Sequence, residues 1–221
     1  MKILVLSCDK NSDTFEPFHH CMEKYWSNHP EVIYKTETIT NPYYKTICTN
    51  YPLSRWTEGV RETLRQIDDN QILIMIDDCF IRKPVDEERI KYASEHLVGN
   101  IATFNFEKSF DPKDEDTGLQ LFLKRQHNSS YEVSIMCGLW DKTKLSQVLA
   151  GSMDPWQVEF AQNNCGYDYY INGGDYIIDW GYKTWQYAGI CRGKWCREVV
   201  PFFEREGIVI DYAKRGFINE V

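Results

Sequence analysis

Short apolar runs alternate, through the first half of the chain, with longer segments in which apolar residues recur at helical spacing. The apolar runs predict four buried strands, at residues 3–6, 31–36, 72–76 and 100–106. The helically spaced segments predict helices at residues 15–26, at 56–67 and from 85 onward. This strict alternation of strand and helix predicts an α/β fold with a largely parallel sheet and right-handed crossovers.

The second half of the chain has a different pattern. Residues 107–117 are charged and rich in turn formers, which predicts a boundary between two parts. Beyond it, the pattern predicts strands at 119–124 and 131–137, turns at 138–141 and 172–175, and helices at 142–149, from Asp154 and at 198–206. We expect one domain over residues 1–221, with a mostly parallel half at about 1–106 and a smaller, more antiparallel half at about 107–221.

The connection at residues 38–54 is polar, rich in tyrosine and longer than most connections of this kind. Long connections often carry function, so this segment is a candidate for closing over a ligand.

Composition limits the possible classes of function. The 221 residues carry a net charge of −8, so no basic surface for general nucleic-acid binding is expected. The apolar runs are far shorter than the about 18 residues of a membrane span, and the first run is too short for a signal peptide, which predicts a cytoplasmic protein. The 8 cysteines include no C-x-x-C pair, so reduced core thiols are expected.

Two adjacent acids follow the central apolar run. Asp77 and Asp78 come directly after residues 72–76, at the carboxyl end of a predicted strand, where ligands collect in open α/β sheets. Paired carboxylates there can hold a divalent cation, Mn or Mg, which in turn neutralises a diphosphate. The structural alternative is that Asp78 caps a turn and Asp77 is solvated.

The loop after the first strand, residues 7–13, is polar and is the part of such a fold that strand one delivers to a nucleotide. Ser7 and Asp9 are therefore candidate nucleotide-binding residues, and Asp9 is the candidate for holding a base or ribose. This loop has no glycine, which disfavours a nucleotidyltransferase. The chain also contains neither a G-x-x-x-x-G-K-[ST] loop nor a G-x-S-x-G elbow, which disfavours a P-loop NTPase and an α/β-hydrolase.

Several segments together resemble bacterial and phage glycosyltransferases of capsule or surface polysaccharide. The matching blocks occur in the family's order over nearly the whole chain: Leu-Ser-Cys-Asp-Lys-Asn-Ser-Asp at 6–13, Arg-Trp-Thr-Glu at 55–58, Ile-Met-Ile-Asp-Asp-Cys-Phe at 74–80, Gly-Leu-Trp at 138–140, Asp-Pro-Trp-Gln-Val-Glu at 154–159 and Arg-Gly-Lys-Trp at 192–195. The resemblance implies a GT-A fold, in which a Rossmann-like nucleotide-binding half is fused to an acceptor-binding half. It also implies transfer of a sugar from a nucleoside diphosphate donor, with the Asp77-Asp78 pair in the place of the metal-binding motif. The sequence departs from a strict Asp-x-Asp pattern, so which acid contacts the metal stays open, as does metal dependence itself.

The resemblance also suggests roles in the second half. Glu159 matches the family's Trp-x-x-Glu position and is the candidate general base for an inverting transfer, with Asp154 as a rival that N-capping of a helix already explains. Trp156 is a candidate for stacking on an acceptor or donor ring, although a core position is the structural alternative.

Basic residues are the candidates for binding the donor's diphosphate. Arg192 and Lys194 suit this role as a guanidinium fork and a point charge, although a basic surface turn is the commoner explanation of such a tetrapeptide. Trp195, beside them, is a further candidate for substrate contact, and Arg55 is a candidate for covering the nucleotide.

The interpretation that combines these features is a metal-assisted glycosyltransferase that uses a nucleoside diphosphate sugar, with UDP as the expected nucleotide and a glycan or other hydroxyl compound as acceptor. The alternatives are a catalytically silent saccharide-binding protein of the same fold, a nucleotidyltransferase and a glycosyltransferase acting on a modified DNA base.

Overall fold

A computed structural model describes residues 1–127, 129, 131–160, 165–181 and 189–218. Eleven strands are present in the described residues: β1 Lys2–Leu6, β2 Val32–Thr36, β3 Lys45–Cys48, β4 Gln71–Ile76, β5 Ile101–Lys108, β6 Glu115–Leu119, β7 Phe122–Lys124, β8 Gly138–Asp141, β9 Asp168–Asn172, β10 Ile190–Cys191 and β11 Lys194–Trp195. Six α-helices accompany them: α1 Phe15–Tyr25, α2 Trp56–Arg65, α3 Glu87–His96, α4 Lys142–Val148, α5 Pro155–Phe160 and α6 Val200–Glu206.

Nine of the strands form one sheet in the order β3-β2-β1-β4-β8-β5-β9-β7-β6, and β10 and β11 form a separate antiparallel pair. Strands β3, β2, β1 and β4 are mutually parallel. Strand β8 is antiparallel to both of its neighbours, β4 and β5, so these two strands run in the same direction. Because β9 is parallel to β5, the carboxyl ends of β1, β4, β5 and β9 all lie at one edge of the sheet. We call this the site edge.

Side chains of the central strands alternate between two hydrophobic clusters. In β4, Leu73 and Met75 pack on the face that is covered by α1, α3 and α6, whereas Ile72 and Ile74 pack on the face covered by α2, α4 and α5. This alternation with a period of two is what a strand buried on both faces requires, and it explains the continuous apolar run. The predicted α/β class, with helices on both faces of a mostly parallel sheet, is confirmed.

Three of the predicted elements in the second half were wrong. Residues 138–141, predicted as a turn, form β8, and residues 131–137, predicted as a strand, form no strand. Residues 119–124, predicted as one strand, are divided between the antiparallel strands β6 and β7. Gly138 explains the first difference, because a β-carbon there would lie 3.1 Å from the Asn105 Cα atom of the neighbouring strand. The absence of a side chain lets β8 fit between β4 and β5, a tertiary constraint that the local pattern does not reveal.

Two short strands also lie in segments that were predicted to be irregular. Strand β3 occupies part of the connection at 38–54, and β6 begins inside the charged segment at 107–117. None of the helices in the described ranges is both long enough and apolar enough to cross a membrane.

Candidate active site

The first acid of the pair, Asp77, is tied to the loop after β1. Its side chain is 2% exposed, and its Oδ2 atom accepts hydrogen bonds from the Ser7 hydroxyl at 2.5 Å and the Thr14 hydroxyl at 3.0 Å. Its Oδ1 atom accepts a hydrogen bond from the Asn11 amide at 3.0 Å. Both carboxylate oxygens are thus occupied by protein donors, so Asp77 braces the loop on which Ser7 lies.

The second acid, Asp78, is half-buried and has a different environment. Its Oδ1 atom is buried and has no hydrogen-bond partner among the described residues. Burial, and then the adjacent charge of Asp77, raise the pKa of Asp78, while Arg215 opposes the shift. A buried oxygen without a partner is costly, and a cation bound at this atom would offset that cost.

The surroundings of Asp78 fit a cation that takes most of its ligands from a substrate. Mg²⁺ is commonly held by one or two carboxylates together with substrate phosphates and water. Within the described ranges no three or more His, Cys, Asp and Glu side chains are grouped as a metal cage. Asp78 therefore fits as a direct ligand, whereas both oxygens of Asp77, which was expected from sequence to share this role, already accept hydrogen bonds from protein donors.

A tight hairpin, β10–β11, packs against the backbone of Asp78. The Gly189 N–H donates to the Asp78 carbonyl at 2.9 Å, and a β-carbon on Gly189 would lie 2.2 Å from the Phe80 ring. At the tip, Arg192 and Gly193 have φ values of +52° and +76°, as a two-residue turn of this hand requires. The side chains of Arg192 and Lys194 are exposed, so two cations project from a hairpin anchored beside Asp78.

Trp195 has a structural position. Its side chain is fully buried, stacks on Phe80 at a centroid distance of 6.3 Å and meets Phe203 edge to face at 5.8 Å. This ring therefore anchors the hairpin in the core and does not face a ligand, contrary to the expectation of substrate contact.

Arg215, which sequence reasoning missed, is bonded to the loop after β1. Its Nε atom donates to Asp13 Oδ2 at 2.8 Å, and its Nη2 atom donates to Asp13 Oδ1 and to the Lys10 carbonyl. Only 9% of its side chain is exposed. The hydrogen bond to Asp13 is the main cause that raises the pKa of Arg215, and the charge of Asp77 adds to it, so the guanidinium lies close to the acid pair. No sequence signal linked it to Asp13, because the two residues are 202 positions apart.

The other candidates in the first half, Asp9 and Arg55, already have partners within the protein. Asp9 accepts hydrogen bonds from the backbone N–H groups of Glu37, Thr38 and Ile39, and although burial alone would raise its pKa, these bonds and the Thr38 hydroxyl lower it to about 2. Asp9 therefore joins the loop after β1 to the loop after β2. The Arg55 guanidinium pairs with Glu58 and lies 5.1 Å from the centre of the Tyr51 ring.

A second pair of acids lies at the site edge, on the far side of β8. Glu107 is near the end of β5, and its Oε2 atom accepts hydrogen bonds from the Ser134 hydroxyl at 2.6 Å and the Asn105 amide at 3.3 Å. Glu159, on α5, accepts a backbone hydrogen bond from Ile135, the residue after Ser134. Burial, and then the charge of Glu107, raise the pKa of Glu159 to about 7. A pKa near neutrality is the range in which a general base operates best.

The short helix α5 presents Glu159 beside exposed aromatic rings. Trp156, Glu159 and Phe160 are spaced i, i+3 and i+4, which places them on one helix face. The Trp156 side chain is 59% exposed, and the Phe160 side chain is 66% exposed. Asp154 caps this helix as predicted, because its Oδ1 atom accepts from the Gln157 N–H at 2.8 Å.

Comparisons with known proteins show the fold of this chain. No protein-family model matches the sequence, and no curated protein matches it. Among solved structures, a nucleotidyl transferase from Methanothermobacter thermautotrophicus is similar, with a TM-score of 0.51 and 12% identity over 78% of this chain and 87% of that one. The galactosyltransferase LgtC, solved with donor and acceptor sugar analogs, has a TM-score of 0.43 and 10% identity over 66% of this chain and 60% of that one.

The bifunctional IspDF from Campylobacter jejuni has a TM-score of 0.47 and 10% identity over 79% of this chain. The chain spans only 50% of IspDF and 60% of LgtC. At these identities the likeness concerns architecture alone: the chain has an α/β fold, with a mostly parallel nine-stranded sheet flanked by helices and a small antiparallel pair of strands.

Proposed function

We propose that this protein is a glycosyltransferase that binds a nucleoside diphosphate sugar at the site edge and transfers the sugar to a hydroxyl group. The observation that carries the proposal is the buried, unpartnered Oδ1 atom of Asp78, next to the hairpin that bears Arg192 and Lys194. A diphosphate with an associated cation supplies what this arrangement lacks: positive charge for Asp78, and negative charge for the two basic side chains.

Different residues at the site edge bind different parts of the donor. The loop that Asp77 braces, which starts at Ser7, meets the nucleoside end of the donor, where strand one of this class of fold delivers its loop. Arg192 and Lys194 hold the phosphates from the hairpin. A divalent cation, Mn or Mg, when held by Asp78, offsets the charge that develops on the departing diphosphate.

Glu159 suits the role of general base at the acceptor hydroxyl. In the transfer, the acceptor oxygen forms a bond to the anomeric carbon while its proton passes to the Glu159 carboxylate. The bond between the anomeric carbon and the diphosphate oxygen breaks, and the nucleoside diphosphate leaves with that electron pair. Attack on the face opposite the leaving group inverts the configuration of the sugar.

The helix face beside the base suits an acceptor with a flat, apolar side. The exposed rings of Trp156 and Phe160 flank Glu159 in sequence, and the Tyr131 ring lies 5.3 Å from that of Phe160. Aromatic faces of this kind pack on the C–H face of a sugar ring. The proposed acceptor is therefore a glycan hydroxyl, and the resemblance suggests an intermediate of surface polysaccharide synthesis.

Calorimetric titration of UDP, GDP, CDP and TDP, each with and without Mn or Mg, tests the donor site. We expect UDP to bind in the presence of a divalent cation, and Asp78→Asn to lose the cation-dependent part of the affinity. The matched control is Asp68→Asn, an exposed acid that precedes the start of β4 at the opposite end of the sheet, which should leave the titration unchanged. If Asp78→Asn binds UDP and metal as the parent does, the proposed donor site is wrong.

Product analysis separates the proposal from its alternatives. With nucleotide sugars and a mixture of glycan acceptors, a glycosyltransferase releases a nucleoside diphosphate, whereas a nucleotidyltransferase given a nucleoside triphosphate releases pyrophosphate. A silent saccharide-binding protein releases neither, and a DNA-base glycosyltransferase transfers only when DNA is supplied. Glu159→Gln should retain donor affinity and lose transfer, so transfer at the parental rate would exclude Glu159 as base.

A further inference from the structure

The first turn of α2 contacts the segment that leads into α5. Strand β3 is parallel to β2, and through it to β1, so its carboxyl end lies at the site edge and α2 begins a few residues later. The facing segment, residues 151–153, comes immediately before Asp154, the cap of α5. Thr57 and Gly151 are 94 positions apart in sequence, so this junction joins the two halves of the chain.

Thr57 makes three hydrogen bonds across the junction. Its backbone N–H donates to the Met153 carbonyl at 3.1 Å, and its hydroxyl donates to the Gly151 carbonyl at 2.8 Å. The same hydroxyl accepts a hydrogen bond from the Met153 N–H at 3.0 Å. Thr57 is fully buried, and a buried backbone group that loses its partner is costly, so these bonds hold residues 151–153 firmly.

The helix end gains from the same contact. The first N–H groups of a helix have no partner within it, and Arg55, at the N-cap position of α2, provides no side-chain cap. The Met153 carbonyl supplies this missing acceptor for Thr57. Each side of the junction therefore satisfies backbone groups of the other.

Two neighbouring side chains of α2 add to the junction. The Ser152 hydroxyl donates to Glu58 Oε1 at 2.6 Å, and Arg61 Nη2 donates to the Gly151 carbonyl at 3.1 Å. Gly151 has a φ of +91°, a conformation that favours glycine. The turn that presents its carbonyl to α2 therefore depends on this residue.

Helix α5 needs such support because it is short. It begins at Pro155, and Cys165 already lies in a turn. Helices of fewer than about 12 residues are marginally stable by themselves in water. Val158, 1% exposed, packs in the cluster to which Trp56 and Met153 also contribute, so α5 is held by the same elements that form the junction.

We propose that Thr57 is a positioning residue for the proposed base. Through residues 151–153 it fixes the N-terminal end of α5, and thereby the places of Trp156 and Glu159 relative to the donor. This inference rests on the proposed function and deepens it. A base displaced by about 1 Å can slow a reaction about 100-fold, so a residue that holds its helix influences the rate without touching a substrate.

Hydrogen exchange followed by mass spectrometry tests the junction without any need for activity. Thr57→Val replaces the hydroxyl by a methyl group of similar size and leaves the Met153 N–H without its acceptor. Exchange of the amides in residues 153–160 should become about tenfold faster, whereas the amides of α3 should keep the parental rate. Parental exchange in residues 153–160 would overturn the proposal.

Thr63→Val is the matched control. Thr63 is also fully buried on α2, but its hydroxyl donates to the Gly59 carbonyl at 3.0 Å, within the same helix. This variant should leave the exchange of residues 153–160 and the acceptor KM at the parental values. If it changes them as much as Thr57→Val does, the effect comes from a weakened α2 in general and the proposal is wrong.

Steady-state kinetics separate positioning from a general loss of stability. In Thr57→Val, kcat should fall about 10-fold to 100-fold and the KM for the acceptor should rise, while the Kd for the donor stays at the parental value. A merely structural effect lowers kcat in proportion to the folded fraction and leaves the acceptor KM unchanged. Thr57→Ser retains the hydroxyl and should restore both constants. An unchanged acceptor KM in Thr57→Val, or a failure of Thr57→Ser to restore it, would overturn the proposal.

A further variant keeps the test decisive if Thr57→Val does not fold. Gly151 is exposed, and a β-carbon there meets nothing within 4 Å, so Gly151→Ala should fold. Its positive φ disfavours alanine, which should shift the turn away from Thr57, accelerate exchange in residues 153–160 and raise the acceptor KM. Parental values of both would overturn the proposal. If the parent transfers no sugar, the proposed function fails, and the exchange measurement still decides whether Thr57 holds α5.

Discussion

Replacing each of the two adjacent acids by alanine should have different effects on the free energy of unfolding. Asp77→Ala leaves three buried or half-buried donors, on Ser7, Asn11 and Thr14, without their acceptor. A buried donor that loses its acceptor costs about 1–3 kcal/mol. The lower value, about 1 kcal/mol each, applies here because two of the donors have a second acceptor within reach. The Ser7 hydroxyl lies 3.4 Å from the Cys8 carbonyl, and the Thr14 hydroxyl lies 2.7 Å from the Asn11 carbonyl.

The expected loss is therefore about 3 kcal/mol in the free energy of unfolding for Asp77→Ala, or about 6–12 °C in Tm for a chain of this length. Asp78→Ala removes an acid whose Oδ1 atom has no partner, so its free energy of unfolding should stay within about 0.5 kcal/mol of the parent or exceed it. Urea denaturation at pH 7, with circular dichroism and fluorescence as coincident probes, measures both. Equal losses in the two variants would refute the division of roles between Asp77 and Asp78.

Three further predictions concern the groups around this pair. Burial raises the pKa of Asp78 above its unfolded value of about 3.9, so the free energy of unfolding of the parent falls as pH rises from about 4 towards the folded pKa. In urea titrations, the free energy of unfolding of Asp78→Asn should therefore rise relative to that of the parent over this interval. A difference that does not change with pH would contradict this. Arg215→Gln should lower the free energy of unfolding by about 2 kcal/mol and weaken UDP binding, and a double-mutant cycle with Asp13→Asn should show coupling, whereas additive effects would exclude the ion pair as the cause. Gly189→Ala, whose new β-carbon would lie 2.2 Å from Phe80, should cost about 1–3 kcal/mol and lower the affinity for UDP measured by calorimetry; parental affinity would show that the hairpin does not need this close packing.

The central layer of the fold could be predicted because each of its elements carries its own signal. The apolar run of β4 faces two hydrophobic clusters, and Asp77 and Asp78 follow it directly, so the position of the acid pair was predictable from the run alone. Strand β8 could not be found in this way. Its start, Gly138, indicates a turn locally, and it becomes a strand only because two neighbours flank it in the sheet.

Within the candidate site, the sequence indicates the residues at strand ends and helix starts but not the contacts between distant segments. Asp154 was predictable as a cap because its partner is Gln157, three residues on. Glu107 and Arg215 had no such local sign, since their partners Ser134 and Asp13 are separated from them by 27 and 202 positions. The burial of Trp195 was missed for the same reason, because its stacking partner belongs to another part of the chain.

The contact between Arg215 and Asp13 has a consequence for how the protein is made. Residues 9–14 are synthesised long before the guanidinium that secures them, because Asp13 and Arg215 are 202 positions apart. Contacts of such long sequence separation form late, because the entropy of closing a large loop must first be overcome. A nascent chain can therefore build most of its sheet during synthesis, while the contact that secures residues 9–14 forms only after translation has passed position 215.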